Sequence, residues 1–405
     1  MLKIRNVKNL DGTISDLNIE NGEAQTIDAE GRLMRLPGLI DPHVHVRTPG
    51  SEYKEDWKTF SQAAIRGGVT RVFDMPNNNP PCVNLKNLKL KKEIIDAQLS
   101  EVGIPLRYDL YFGANSDSLE DIGKVKDEVI GLKIYMGSST GGLVMDADEA
   151  LNRAFQLAGQ ENILVAVHAE DESILQANMK KYGNTTDPSV HSIIRSREAA
   201  ISATKQAIAL AEKYGTRLLI CHTTTKEEIE IIKKAKKNGV LVYCEVSTHH
   251  LFLNIDDYEH LKTLALVNPP LRDKSDCEAL WKGIESGVVD FIGTDHAPHT
   301  LEEKMRPYGK APSGMPGVET LLPLLLNAYH ENKITLEKIV NLTRINIEQI
   351  FGLQRTQDYV LVDLEMSKEV QISELKTKCG WSPFSGRVLK GWPVYTILQG
   401  KVYRC

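Results

Sequence analysis

Cysteine is scarce and scattered: six residues in 405, at positions 82, 221, 244, 277, 379 and 405. None forms a Cys-x-x-Cys pair, so neither a disulfide scaffold nor a zinc ribbon is expected, and the thiols read as reduced. Long apolar runs are missing too. No stretch reaches the roughly 18 residues of a membrane span, and Met1-Leu2-Lys3-Ile4-Arg5 opens no signal-peptide segment, so a cytoplasmic protein without membrane contact is expected. Positive charge is not concentrated. The net charge is −5, and Lys233-Lys234-Ala235-Lys236-Lys237 falls on a helical pattern as a solvated face, which argues against a nucleic-acid partner. No Gly-x-Gly-x-x-Gly follows the first apolar run.

What is present is a βα rhythm. Short β-rich apolar runs occur at 39–46, 69–75, 108–112, 132–136, 163–168, 218–222, 240–246 and 291–294. Helical patterns at 55–66, 146–159, 196–213 and 226–237 lie between them. Eight such units predict a (β/α)8 TIM barrel, an α/β fold with its active site at the C-terminal ends of the strands. A doubly wound open sheet is the alternative. The two ends differ, with short strand-like pieces before 37 and at 359–364 and 394–398, punctuated by Gly386, Gly391 and Gly400. A small flanking β-domain from residues 1–37 plus 358–405 is therefore expected, with the barrel over 38–357.

Polar residues interrupt the apolar runs in a regular way. In Leu39-Ile40-Asp41-Pro42-His43-Val44-His45-Val46-Arg47, alternation on a strand puts His43 and His45 on one face. By chance alone, 11 histidines in this chain give about 0.3 His-x-His pairs, so the pair is a weak signal by itself. Lys133 lies inside a strand where a lone ammonium is costly to bury. His168, His222 and Asp295 each close a predicted strand. Four histidines, an aspartate and a lysine would then converge on one barrel mouth, a donor set suited to divalent metal.

These residues resemble the amidohydrolase superfamily and, within it, the dihydroorotases. The resemblance rests on the 37–47 segment, Asp74-Met75-Pro76-Asn77, Gly131-Leu132-Lys133, Val167-His168-Ala169-Glu170, Asn268-Pro269-Pro270-Leu271-Arg272 and Thr294-Asp295-His296-Ala297-Pro298-His299. It implies two Zn2+ ions per subunit. His43, His45 and Asp295 would hold one and His168 with His222 the other, bridged by N6-carboxylated Lys133 and a hydroxide. An unmodified lysine, with a pKa near ~10, only donates, whereas a carbamate reverses its charge and offers two oxygens.

The resemblance also implies a substrate site of Arg47, Asn77 and His299 for a carboxylate and Asn268 for a ring edge, with Ser313 and Gly314 acting through backbone. Arg47, two residues past His45, presents a fork suited to a carboxylate. Asn78 departs from the usual Asn-Thr pattern and receives no role. His249-His250 is expected to serve indirectly, since neighbours on a strand face opposite ways. The implied reaction is reversible cyclisation of N-carbamoyl-L-aspartate to (S)-dihydroorotate in pyrimidine synthesis, with Asp295 moving the proton. The implied partners are a small-molecule substrate, a second copy in a homodimer, and aspartate transcarbamoylase. Two other classes compete: a related cyclic amidohydrolase (dihydropyrimidinase, hydantoinase or allantoinase), and a silent barrel subunit that only assembles.

Overall fold

The apolar runs are almost wholly buried, and they pair side by side in the computed structural model, which describes residues 1–20, 22–115, 118–139 and 142–405. Four strands come first: β1 (Leu2–Lys8), β2 (Ile14–Ile19), β3 (Gln25–Asp28) and β4 (Met34–Pro37). The parallel set follows as β5 (Leu39–Val44), β6 (Val69–Asp74), β7 (Arg107–Gly113), β8 (Gly131–Tyr135), β9 (Val165–His168), β10 (Leu218–Ile220), β11 (Val242–Ser247) and β12 (Phe291–Gly293). Three strands end the chain, β13 (Tyr359–Glu369), β14 (Val388–Leu398) and β15 (Lys401–Arg404).

Strands β5 to β12 lie in sequence order in one eight-stranded parallel sheet. Such strands are buried on both faces, which is why they read as continuous apolar runs. The sheet closes on itself beyond its strand ends. The His45 N–H donates to the His296 carbonyl at 2.8 Å, and Val44 pairs in parallel with His296. Deeper in the seam, buried Asp41 accepts the Thr294 N–H at 3.0 Å and the Thr294 hydroxyl. Burial pushes the Asp41 carboxyl up to about 7. Asp41→Ala strands those donors in the interior, and we expect a loss of about 2–3 kcal/mol. Chemical denaturation checks this; a change under about 0.5 kcal/mol would show that the seam is held elsewhere.

Alternation aims the central side chains. In β9, Val165 and Val167 pack outward against the helices, while Ala166 joins the barrel interior with Ile40, Phe73 and Leu219. His168 shares the parity of Ala166. In β8, Leu132 and Ile134 face the helices, so Lys133 points inward. The helix Lys226–Lys237 begins at a Thr225–Glu228 capping box, as its sequence signature requires.

Both termini build a second sheet, in the order β15-β14-β13-β4-β1-β2 with β3 beside β1. The fold is thus the expected barrel with a flanking β-domain made from both ends. The crossing from β4 to β5 is tight at Gly38, where an added Cβ would meet the Thr70 side chain at 2.4 Å. Val360, Val362 and Leu398 extend the barrel's core into this sheet. Among the described residues, no helix is long and apolar enough to cross a membrane.

Candidate active site

Simple alternation does not place every site residue. A register shift in β5 between Asp41 and Val44 turns His43 into the barrel mouth. His45 and Arg47 lie past the end of β5, and His222 and Asp295 past β10 and β12, so the expectation that His222 and Asp295 close their strands is corrected by two residues. Arg47, His222 and Asp295 adopt φ of +68°, +36° and +46°. These strained turns re-aim side chains that a continuing strand would send elsewhere. The His249-His250 pair also leaves its expected geometry. It lies on the helical turn Thr248–Phe252 with ring centroids 4.2 Å apart, because β11 ends at Ser247.

All six proposed metal ligands border one cavity at the C-terminal strand ends. Ligand atoms of His43, His45 and Asp295 lie within 4.8 Å of one another. His45 Nε2 is 3.0 Å and His43 Nε2 3.3 Å from Asp295 Oδ1. The opposite ring nitrogens are tied back: His43 Nδ1 donates to Glu245 at 2.8 Å and His45 Nδ1 to Asn77 Oδ1 at 2.7 Å. Each tie fixes a tautomer whose Nε2 lone pair faces inward, the usual support for a metal-ligating histidine.

The second group mirrors the first. His168 Nε2 donates to Glu170 at 2.7 Å, which turns His168 Nδ1 toward His222 Nε2 at 3.2 Å. Burial, then His168 and Lys133, keep His222 well below its ordinary value, hence neutral, and its buried Nδ1 has no hydrogen-bond partner among the described residues. Burial penalises charge on Glu170, but Arg195 and His168 hold it ionised, well below the usual carboxylate range. On His43, burial opposes charge and is outweighed by Glu245 and Asp295, which push the imidazole up to about 10. Positive charge is favoured here, either as a proton on Nε2 or as a cation that takes the Nε2 lone pair in its place.

Lys133 is fully buried between the two groups. Its Nζ lies 3.1 Å from Cys221 Sγ and 5.2 Å from the centre of the Tyr135 ring, and no carboxylate among the described residues pairs with it. The inward lone pairs, the unpartnered imidazole nitrogen and this uncompensated ammonium together fit a divalent-metal centre completed by a modified lysine.

The substrate side of the cavity is equally specific. Arg47 is 6% exposed and has no ion-pair partner among the described residues; its guanidinium meets only Pro298 O at 3.0 Å and His299 Nε2 at 3.2 Å. His299 lies behind Arg47 and off the cavity wall. Lys54 Nζ lies 3.1 Å from His299 Nδ1, and His299 Nε2 lies 3.1 Å from Ser313 O. Burial and then Arg47 lower His299 to about 3. Gly314 is required: at φ +133° an added Cβ would meet Ala297 O at 2.5 Å, and its N–H donates to Leu266 O at 2.9 Å. Asn77, Asn268, Ser313 and Gly314 all line the cavity, and Asn268 Oδ1 accepts from His191 Nε2 at 2.9 Å.

Sequence reasoning missed Glu245, Glu170, Arg195 and His191. A carboxylate inside the apolar run of β11 carries the same signal that picked out Lys133, so Glu245 was open to discovery. The Glu170–Arg195 pair was not, because only the fold brings those residues together.

Comparison with known proteins agrees with this geometry. The model of the amidohydrolase family matches residues 34–402. The dihydroorotase of Halobacterium salinarum is 34% identical over 421 residues, spanning 99% of this chain and 96% of that one. The multifunctional protein CAD of Squalus acanthias is 36% identical over 92% of this chain, which matches only 15% of that larger protein. Among solved structures, an L-hydantoinase (dihydropyrimidinase) from Arthrobacter aurescens shares the fold with a TM-score of 0.92 at 27% identity, covering 99% of this chain and 95% of its own. By barrel, strand-end cluster and sequence, this chain belongs to the metal-dependent amidohydrolase family, in its dihydroorotase branch.

Proposed function

We propose that the chain is a dihydroorotase, interconverting N-carbamoyl-L-aspartate and (S)-dihydroorotate. One observation supports this over the other cyclic amides: a buried guanidinium, Arg47, without an ion-pair partner, on the wall of the metal-suited cavity. A buried cation is costly unless a counter-charge arrives, and a substrate carboxylate is that charge. The likeness to a hydantoinase fits the competing class, but a substrate without a carboxylate leaves Arg47 uncompensated.

His43, His45 and Asp295 would hold one Zn2+ and His168 with His222 the second, with carboxylated Lys133 between them. When bound, such ions would supply Lewis-acid polarisation of a carbonyl and a lowered pKa for water. Asp295 is buried, which penalises its charge, yet His43 and His45 hold it ionised well below the carboxylate range. In hydrolysis, Asp295 takes a proton from the attacking water; the new C–O bond forms, the ring C–N bond breaks, and Asp295 returns the proton to the leaving nitrogen. Cyclisation runs the same steps in reverse. Arg47, with Asn77 and His299 beside it, anchors the carboxylate and sets the ring against Asp295. Asn268 meets the ring edge, and Ser313 and Gly314 offer backbone groups. Residues 38–357 form the catalytic unit on this proposal, and a cytoplasmic homodimer is the expected assembly. CAD carries its matching segment in a longer chain. Aspartate transcarbamoylase is the proposed partner, to be tested by co-purification.

Arg47→Met tests the proposal. It is expected to lower kcat/KM for dihydroorotate about 10²–10³-fold while metal content stays at the parent level. Near-normal turnover, or loss of metal, would remove the carboxylate anchor.

A further inference from the structure

Behind the Arg47 wall lies a buried brace. Lys91, on the helix Leu85–Val102, is 1% exposed. Its ammonium is 2.6 Å from Asp74 Oδ2, 2.8 Å from Met75 O and 2.6 Å from Asn78 Oδ1. The ammonium thus donates to Met75 O and Asn78 Oδ1 and forms an ion pair with Asp74. Asp74 and Asn78 pass this anchorage onward to the neighbouring loop. Asp74 Oδ1 accepts the Val46 N–H at 2.8 Å, and Asn78 Nδ2 donates to Thr48 O at 2.9 Å.

Val46 and Thr48 are the residues on either side of Arg47, and Met75 and Asn78 flank the turn that carries Asn77. One ammonium therefore fixes two loops. Arg47 needs this support, since its φ of +68° is a conformation that only a constrained non-glycine residue keeps. The amide of Asn78 suits the task because it accepts at one end and donates at the other, spanning Lys91 and Thr48.

We infer that Asn78 and Lys91 are positioning residues for the carboxylate site, holding Arg47 and Asn77 in register without touching substrate. This rests on the proposed role of Arg47. It also gives a function to Asn78, where the chain departs from the Asn-Thr pattern.

The test uses full-length, metal-loaded protein. Asn78→Ala removes both contacts of the amide. Asn78→Asp keeps an acceptor for Lys91 but cannot donate to Thr48 O. Both are expected to raise KM for dihydroorotate on the order of tenfold with kcat within about threefold, at parental metal content and melting temperature. Lys91→Met alone strands the Asp74 charge in the interior, so the paired change Lys91→Met with Asp74→Asn serves instead, and the same KM rise is expected. Unchanged KM in the Asn78 variants would overturn the inference, as would a rise accompanied by loss of metal or stability. If Arg47→Met has its expected effect while the Asn78 variants do not, the brace alone fails. If Arg47→Met has no effect, the carboxylate site itself is wrong.

Discussion

Lys133→Ala is expected to remove metal and activity together. Lys133 is wholly buried on β8, turned inward among histidines, and no carboxylate among the described residues neutralises it. An ammonium there would repel two cations. On the proposed chemistry its neutral amine attacks CO2, the N–C bond forms, one N–H proton leaves to solvent, and the resulting carbamate places negative charge between the ions. Losing it should lower kcat/KM at least ~10⁴-fold, equivalent to ~5.5 kcal/mol of transition-state stabilisation. Elemental analysis should show at least one ion missing, and short carboxylic acids with added metal should restore part of the activity. A Lys133→Ala protein that keeps full metal loading and turnover would sink the bridging role.

Asp295→Asn separates proton transfer from architecture. Asparagine is one of the few residues at ease with positive φ, so the backbone at +46° is preserved. Its amide oxygen still faces His43 and His45, but it cannot take or return a proton. General acid–base help of this kind is worth about 10²–10⁴ in rate, and the loss in kcat should lie at the upper end because one carboxylate serves in both directions. Measurable metal with almost no turnover is the expected result. Retention of more than about a tenth of parental kcat would assign the proton to another group.

The barrel was legible because doubly buried parallel strands leave continuous apolar runs, and Lys133 and His168 stood out as polar interruptions at inward parity. Lys226–Lys237 was legible over its whole length from its helical pattern. The turns that carry Arg47, His222 and Asp295 were not, since left-handed backbone at non-glycine residues has no local signature. Nor was the pairing of Glu245 with His43, because 202 positions separate them, although Glu245 alone stands out as a carboxylate in an apolar run. Lys91 falls between these cases. It sits in a lysine-rich helix, yet on the stripe Leu88, Lys91, Ile95 and Leu99 that the helix buries. A lysine at an apolar-stripe position is a readable sign of a buried ion pair. The opposite-facing geometry assumed for His249-His250 does not hold, because the strand ends at Ser247 and the pair lies on the helical turn that follows.

Substrate preference of the purified, metal-loaded protein tests the central claim most directly, with kcat/KM measured in parallel for dihydroorotate, dihydrouracil, hydantoin and allantoin. A site built around a buried, unpaired guanidinium should reject rings that lack a carboxylate, so dihydroorotate is expected to lead by at least about 10³-fold. Equal or greater turnover of any of the other three would contradict the assignment of Arg47 and with it the dihydroorotase function.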